Sequence, residues 1–423
     1  MEYNDLLAEA RKYRRDGEIE KEIELLESHL SQYGDDDVVR TQLGYAYFSL
    51  ADYRKALEQY EYIYKLNKND GINLLNLGAA YNMTENYSKS IEVLKKAAEL
   101  MPESEIVWNN LGLSYVDSGN YTEAITAYKK SLEIDPDKGE TLYNLAEAQE
   151  KAGLIEEAIT TCKNALEATP DADIYLKLGN MYLKLNDFEN SIEAYKAGTA
   201  IAPGNSGLWY NLGNAYDDSG DQFSAIAAYK KALEIDPKKA HAWSNLGYIY
   251  KERGQYEQAL ENYFKSLELR PDNVNTYRNI AEIYESDEKY EDAIAYYLKA
   301  AGISKEDAGL WFNLGILYHN TEQYGKAIEA YKTAIKYNVG YYRVYNNLSI
   351  VYRQTGKYSD AIDSAKKALK IKTDYAYGYY QMGLAYKEKG KKTKAKKAFE
   401  EAMKYAKIDG DTNLMEKINT YGV

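Results

Sequence analysis

The chain is short of the residues that build reactive or cross-linked sites. One cysteine, Cys162, in 423 residues excludes an intramolecular disulfide framework and offers no metal-ligand spacing. The three histidines, His29, His241 and His319, are scattered, and no HExxH, CxxC, phosphate-binding loop or GxSxG occurs. Nor does any apolar run approach the ~20 residues that span a bilayer. The opening MEYNDLLAEARKYRRDGE lacks the apolar core and cleavage site of a secretory signal. These absences lead us to expect a cytoplasmic, non-catalytic protein with no cofactor, no metal and no membrane insertion. A net charge of -13 argues against a nucleic-acid binder, because a phosphate grip rests on clustered Lys and Arg. The basic run Lys387 to Lys397 reads as a solvated helix face.

What is abundant is periodic. Aligning the chain on the stretch SGLWYNLGNAYDDSGDQFSAIAAYKKALEIDPKK, Ser206 to Lys239, gives twelve units: 3-36, 37-70, 71-104, 105-138, 139-171, 172-205, 206-239, 240-273, 274-307, 308-341, 342-375 and 376-409. Only the fifth departs from 34 residues. Within a unit, positions 4, 7, 8 and 11 fall on one helical face by their spacing of three and four. Position 4 takes all four tryptophans, and position 8 is always small, mostly glycine, as close approach of a second helix requires. Position 15 is often glycine, the residue of a left-handed helix cap, and all six prolines stand at position 32, where they stop the second helix. Of the 46 tyrosines, 29 occupy positions 4, 11, 17 and 24, so packing accounts for most of them.

The 34-residue period with W-x2-L-G-x2-Y followed by Ala, an aromatic and Pro resembles the tetratricopeptide repeat over residues 3 to 409. The resemblance implies an all-α fold: a right-handed superhelical solenoid of antiparallel helix pairs, one array without a further domain. Residues 410-423, with Leu414 and Ile418 four apart, are expected to form a C-terminal capping helix. At the other end, Glu22 and His29 at packing positions suit a terminal repeat with a more polar outer face.

Function then lies in what the repeat leaves free, positions 2, 5, 6, 9, 12 and 13 of each first helix, which should line the concave groove. Position 6 carries Asn76, Asn110, Asn144, Asn211, Asn245, Asn279, Asn313 and Asn347, interrupted by Lys177. An amide offers two donors and an acceptor and so can hold a peptide backbone without reading its side chains. The row is similar to the asparagine ladder of O-linked N-acetylglucosamine transferase and kinesin light chains, whose grooves hold extended peptides; the other reading is simple frequency of Asn at this position of the repeat. Apolar groove residues in units two to four, Val38, Tyr45, Phe48, Ile72, Leu75, Met83, Ile106 and Leu113, form a candidate partner patch, the competing reading being packing against a neighbouring helix of the solenoid. The middle of the groove is acidic, with Glu140, Glu147, Glu150, Asp217, Asp218, Glu252, Glu282 and Glu285, and calls for a positively charged ligand. Chaperone adaptors with this repeat use a clamp for a terminal carboxylate. Its nearest match is Arg278, Asn313 and Arg343, with Glu282 standing where the clamp has Asn. The expected function is a protein-protein interaction scaffold or adaptor that binds an extended peptide or partner helix. The alternatives are a chaperone-type adaptor reading an acidic C-terminal tail and a self-associating component of a larger assembly.

Overall fold

The computed structural model describes residues 3–34 and 36–422, and among them there are 25 helices and no strand. First helices begin at Tyr3, Asp37, Gly71, Glu105, Gly139, Ala172, Ser206, Ala240, Val274, Ala308, Tyr342 and Ala376 and run 13 residues. A second helix follows each after a turn of three residues, as Tyr121–Ile134 follows Glu105–Asp117. The final helix, Thr412–Asn419, buries Leu414 and Ile418 against the pair before it. The residues up to Ala225 and those from Ile226 onward form two compact units, each with its own core. Among the described residues no helix is long and apolar enough to cross a membrane.

Each turn within a pair is built the same way. The residue at position 15 is left-handed in all twelve units: glycine in seven, Asn186 in one, and Ala51, Glu85, Glu288 and Glu322 in the rest, with φ between 56° and 62° in these last four. The next N–H reaches back to the carbonyl of position 11, as Asp52 does to Tyr47 (2.9 Å) and Gln323 to Tyr318 (2.7 Å), and closes a Schellman cap. Sequence pointed to this cap only where glycine or asparagine marked it. The geometry of the pair imposes it everywhere, and four side chains carry the strain.

The small residue at position 8 also has a local cause. A Cβ on Gly112 or Gly315 would lie 2.6 or 2.4 Å from the ring of Tyr128 or Tyr331, the residue at position 24 of the same unit. Glycine is thus the socket for the side chain at position 24, a ring in these units and Leu94 opposite Gly78. Where the first helix carries Ala146 or Ser349 instead, position 24 holds Cys162 or Ala365, so the volume lost on one side is returned on the other. Ala281 opposite Tyr297 breaks this rule, and nothing in the packing explains it. Tryptophan at position 4 ties the preceding linker: the indole N–H of Trp108, Trp209 and Trp243 donates to the carbonyl of Pro102, Pro203 and Pro237 (2.8, 3.0 and 2.9 Å).

One end differs from expectation. Glu22 faces inward with its side chain fully buried, and both carboxylate oxygens are taken by Arg14, which also donates to the Gln42 carbonyl (3.1 Å). A buried carboxylate persists because it is paired and hydrogen-bonded.

Candidate functional site

All eight asparagines of position 6 lie half-buried on the face of the first helices. Their amides are already engaged within the chain. In the second half, Asn245, Asn313 and Asn347 donate to the hydroxyls of Tyr229, Tyr297 and Tyr331 (3.3, 3.3 and 3.5 Å). Each of these tyrosines sits at position 24 of the preceding repeat, so the bond joins neighbouring repeats. In the first half, Asn76 donates to Tyr45 (2.9 Å), Asn144 to Asn109 (3.4 Å) and Asn211 to Asn180 (3.5 Å); Asn180 also receives the Tyr195 hydroxyl (2.6 Å). Asn110 follows Leu94, which has no hydroxyl, and bonds back to its own helix at Ile106 (3.0 Å).

The sequence carries a signal for this coupling. Every tyrosine at position 24, Tyr60, Tyr128, Tyr195, Tyr229, Tyr263, Tyr297 and Tyr331, is followed sixteen residues later by asparagine. Where position 24 is Leu26, Cys162 or Ala365, the next position 6 is Gln42, Lys177 or Gln381. The amide reaches that hydroxyl directly in the pairs that begin with Tyr229, Tyr297 and Tyr331. Asn279 gives its oxygen to the Lys251 ammonium (3.0 Å), and the fully buried hydroxyl of Tyr263 is left without a partner.

The apolar set divides in two. Val38, Ile72 and Ile106, all at position 2 of successive repeats, are 47%, 59% and 49% exposed, and Met83 is exposed beside them in sequence at position 13. Tyr45, Phe48, Leu75 and Leu113 are half-buried; Phe48 meets the Tyr53 ring edge-on at 5.0 Å, while Tyr45, Phe48 and Leu75 pack on the core. The solvent-facing portion is therefore the position 2 row together with Met83.

The acidic stretch is less open than its sequence implies. Glu147 and Glu150 are both matched: Lys177 bridges them (3.7 Å to each), Lys151 pairs with Glu147 (2.9 Å) and Lys184 with Glu150 (2.6 Å). Lys177 also lies over the Tyr143 ring at 4.6 Å. The hydrogen bond from Lys151 holds the Glu147 carboxyl below the usual range. Further along the chain, burial first and Asp218 second push the Asp217 carboxyl up, and burial first and then Glu282 push up that of Glu285, against a hydrogen bond from Tyr297 (3.4 Å). Glu282 pairs with Lys251 (2.6 Å), and no ion pair reaches Glu252 or Glu285 among the described residues.

The clamp-like residues do not converge on a free carboxylate site. The Arg278 guanidinium donates to Asp307 (2.6 Å), the cap of helix Ala308–Asn320, and Asn313 is bound to Tyr297, while Arg343 is exposed beside Tyr342. His241 accepts from Arg270 and His319 meets Gln354 (2.7 and 2.6 Å), far apart in the chain. Cys162 is buried, and burial pushes its thiol up to about 12.

Models of the tetratricopeptide repeat match residues 41–105, 139–171, 239–306, 306–374 and 376–409, and a TPR repeat model matches 112–153, 179–220 and 213–252. Among solved structures, MamA is 30% identical over 39% of this chain and 97% of its own, with a TM-score of 0.37. MamA 41-end from Desulfovibrio magneticus RS-1 is 24% identical over 40% and 96%, also with a TM-score of 0.37. YrrB, described as a TPR protein with an unusual peptide-binding site, is 22% identical over 46% and 100%, with a TM-score of 0.41. No curated protein matches the chain.

Proposed function

The chain belongs to the tetratricopeptide repeat family, and from that premise we propose that it is a non-catalytic interaction scaffold holding an extended peptide on the face of its first helices. The observation that carries this reading is the row Val38, Ile72 and Ile106, large aliphatic side chains left in water at the same place in three successive repeats. A periodic apolar row beside half-exposed amides supports an extended ligand, which needs apolar anchors and main-chain partners at regular intervals. The amides contribute what the inter-repeat bonds leave over: one N–H of Asn313 is spent on Tyr297, and its carbonyl oxygen remains to accept from a ligand.

The alternative in which an acidic C-terminal tail is read would need Arg278, whose charge is met by Asp307. Self-association would use the same apolar row with a second copy as the occupant, and sedimentation of the free chain separates the two.

The test starts from 12-residue peptides selected against the full chain from a random library. Affinity of a selected peptide is then measured for Val38→Glu, Ile72→Glu and Ile106→Glu. Each exposed anchor should cost about 1 kcal/mol or more, roughly a fivefold loss of affinity or greater, with the melting temperature unchanged. Undiminished binding to the triple variant would place the ligand elsewhere.

A further inference from the structure

We propose that the first helices of repeats eight and nine receive an anionic side chain of the bound peptide, a carboxylate or a phosphate, in the cleft beside the linker 270–273. This assignment rests on the peptide-binding reading and gives one stretch of the ligand its chemistry.

The cleft, about 450 Å³, is lined by His241 and Tyr248 of helix Ala240–Glu252, by Asn279 of helix Val274–Ser286, and by Arg270, Asp272 and Asn273 of the linker between the two repeats. His241, Tyr248 and Asn279 hold positions 2, 9 and 6 of their units, where the repeat leaves side chains free for a ligand. Val274 is the one aliphatic side chain in the lining, so an apolar ligand group gains little there.

The hydrogen bonds inside the chain decide what this lining still offers. The Asn273 side-chain oxygen caps its helix through the Thr276 N–H (3.2 Å), and the Asn279 oxygen holds the Lys251 ammonium (3.0 Å). His241 Nε2 accepts from Arg270 (2.7 Å), which leaves the neutral imidazole its proton on Nδ1. The acceptors of these side chains are therefore spent. Their N–H groups are not: among the described residues nothing accepts from the side-chain amides of Asn273 and Asn279, and the Arg270 guanidinium has donors to spare. Asp272 is the one carboxylate in the lining, and it stands 71% exposed and 3.8 Å from Arg270 Nε, a separation at which an ion pair in water is weak. Neither Glu252 nor Glu282 lines this cleft, and Glu282 is met by Lys251 (2.6 Å).

A lining left with N–H groups matches a ligand group made only of acceptors. A carboxylate or phosphate is such a group, and its bonds to a guanidinium are charge-assisted. A side-chain amide would turn N–H groups of its own toward those of the cleft, and an ammonium would bring nothing but donors. The residues involved are separate from the clamp-like set Arg278, Asn313 and Arg343.

The probe is Nα-acetyl-glutamate N-methylamide, titrated into the isotope-labelled full chain and followed by amide NMR shifts, beside its phosphoserine counterpart and its uncharged glutamine counterpart. The anions should produce saturable shifts at His241, Tyr248, Asn275 and Asn279, and glutamine none. The tighter of the two anions names the source of the charge. Its dissociation constant should rise about tenfold in Arg270→Gln and about threefold in Asn279→Ala, and stay unchanged in Lys265→Gln, which removes a positive charge from the second helix of the same repeat. Equal response to glutamine, an equal loss in Lys265→Gln, or undiminished binding in both Arg270→Gln and Asn279→Ala would overturn the proposal. If both anions fail here while the library-selected peptide still binds, this cleft falls and the peptide-binding reading stands. If an anion binds here and no peptide is selected, the cleft stands alone.

Discussion

Tyr195 and Tyr263 occupy the same position in their repeats and are both fully buried, yet one hydroxyl is bonded to Asn180 at 2.6 Å and the other meets nothing. Their removal should therefore differ in effect. Tyr195→Phe should destabilise the chain by about 1 kcal/mol, and Tyr263→Phe should be neutral or slightly stabilising, because no bond is lost and an unmatched group is deleted. Thermal unfolding of the two variants checks this. Position 24 and position 6 were each legible in the sequence as a row, one of packing rings and one of amides. Their relation is a constant sixteen-residue interval from ring to amide, which becomes a direct bond between repeats at Tyr229, Tyr297 and Tyr331. The acidic row was legible as composition but not as pairing, because Lys177 meets Glu147 and Glu150 only when neighbouring first helices lie side by side. The two kinds of carboxylate should respond to pH with opposite sign. Glu285, held above the ordinary range mainly by burial, keeps its proton more readily when folded, so its cost appears as pH rises through that range and persists at neutrality. Glu285→Gln should thus raise the melting temperature near pH 7 and lose that advantage in acid. Glu147, held low chiefly by Lys151, is stabilising above the ordinary glutamate range and loses this as pH falls through its lowered value. Glu147→Gln should lower the melting temperature near pH 7 and cease to do so in acid.

At the scale of the helix pair, the turn is the element most strictly repeated. Seven glycines and Asn186 mark it in sequence, and the left-handed cap occurs equally at Ala51, Glu85, Glu288 and Glu322. The cap's bond from position 16 to position 11 and the packing of the pair outweigh the unfavourable backbone of those four residues, a cost of roughly 1–2 kcal/mol each relative to an unstrained conformation. Replacing any of the four by glycine should stabilise the chain by about 0.5–1 kcal/mol, since relief of strain exceeds the added freedom of the unfolded chain. The same substitution at a second-helix alanine such as Ala327, fully buried, should destabilise it by a similar amount or more, and chemical denaturation of both variants measures the contrast. The socket at position 8 is a second property of the pair. Small residues there were legible as a demand for close approach, but the partner they make room for, the ring at position 24 of the same pair, follows only from the crossing of the two helices.

Over the whole molecule, repetition made the architecture legible and kept the ligand obscure. Twelve first helices begin where the sequence period places them, because each unit states its helix starts, caps and packing face again. The binding face is written in the positions the period does not constrain, and their meaning depends on which polar groups neighbouring repeats satisfy for one another. The exposed row of Val38, Ile72 and Ile106 and the unmatched Tyr263 hydroxyl are among the places where that internal satisfaction stops. The central claim, that a peptide lies on the face of the first helices, is tested most directly by hydrogen exchange of the full chain with and without a library-selected peptide. Slowed exchange in the first helices Asp37–Ser49, Gly71–Met83 and Glu105–Asp117, with the second helices Tyr53–Leu66 and Tyr87–Leu100 unchanged, is the predicted result. Protection confined to the second helices, or none in these repeats while the peptide is bound, would contradict it.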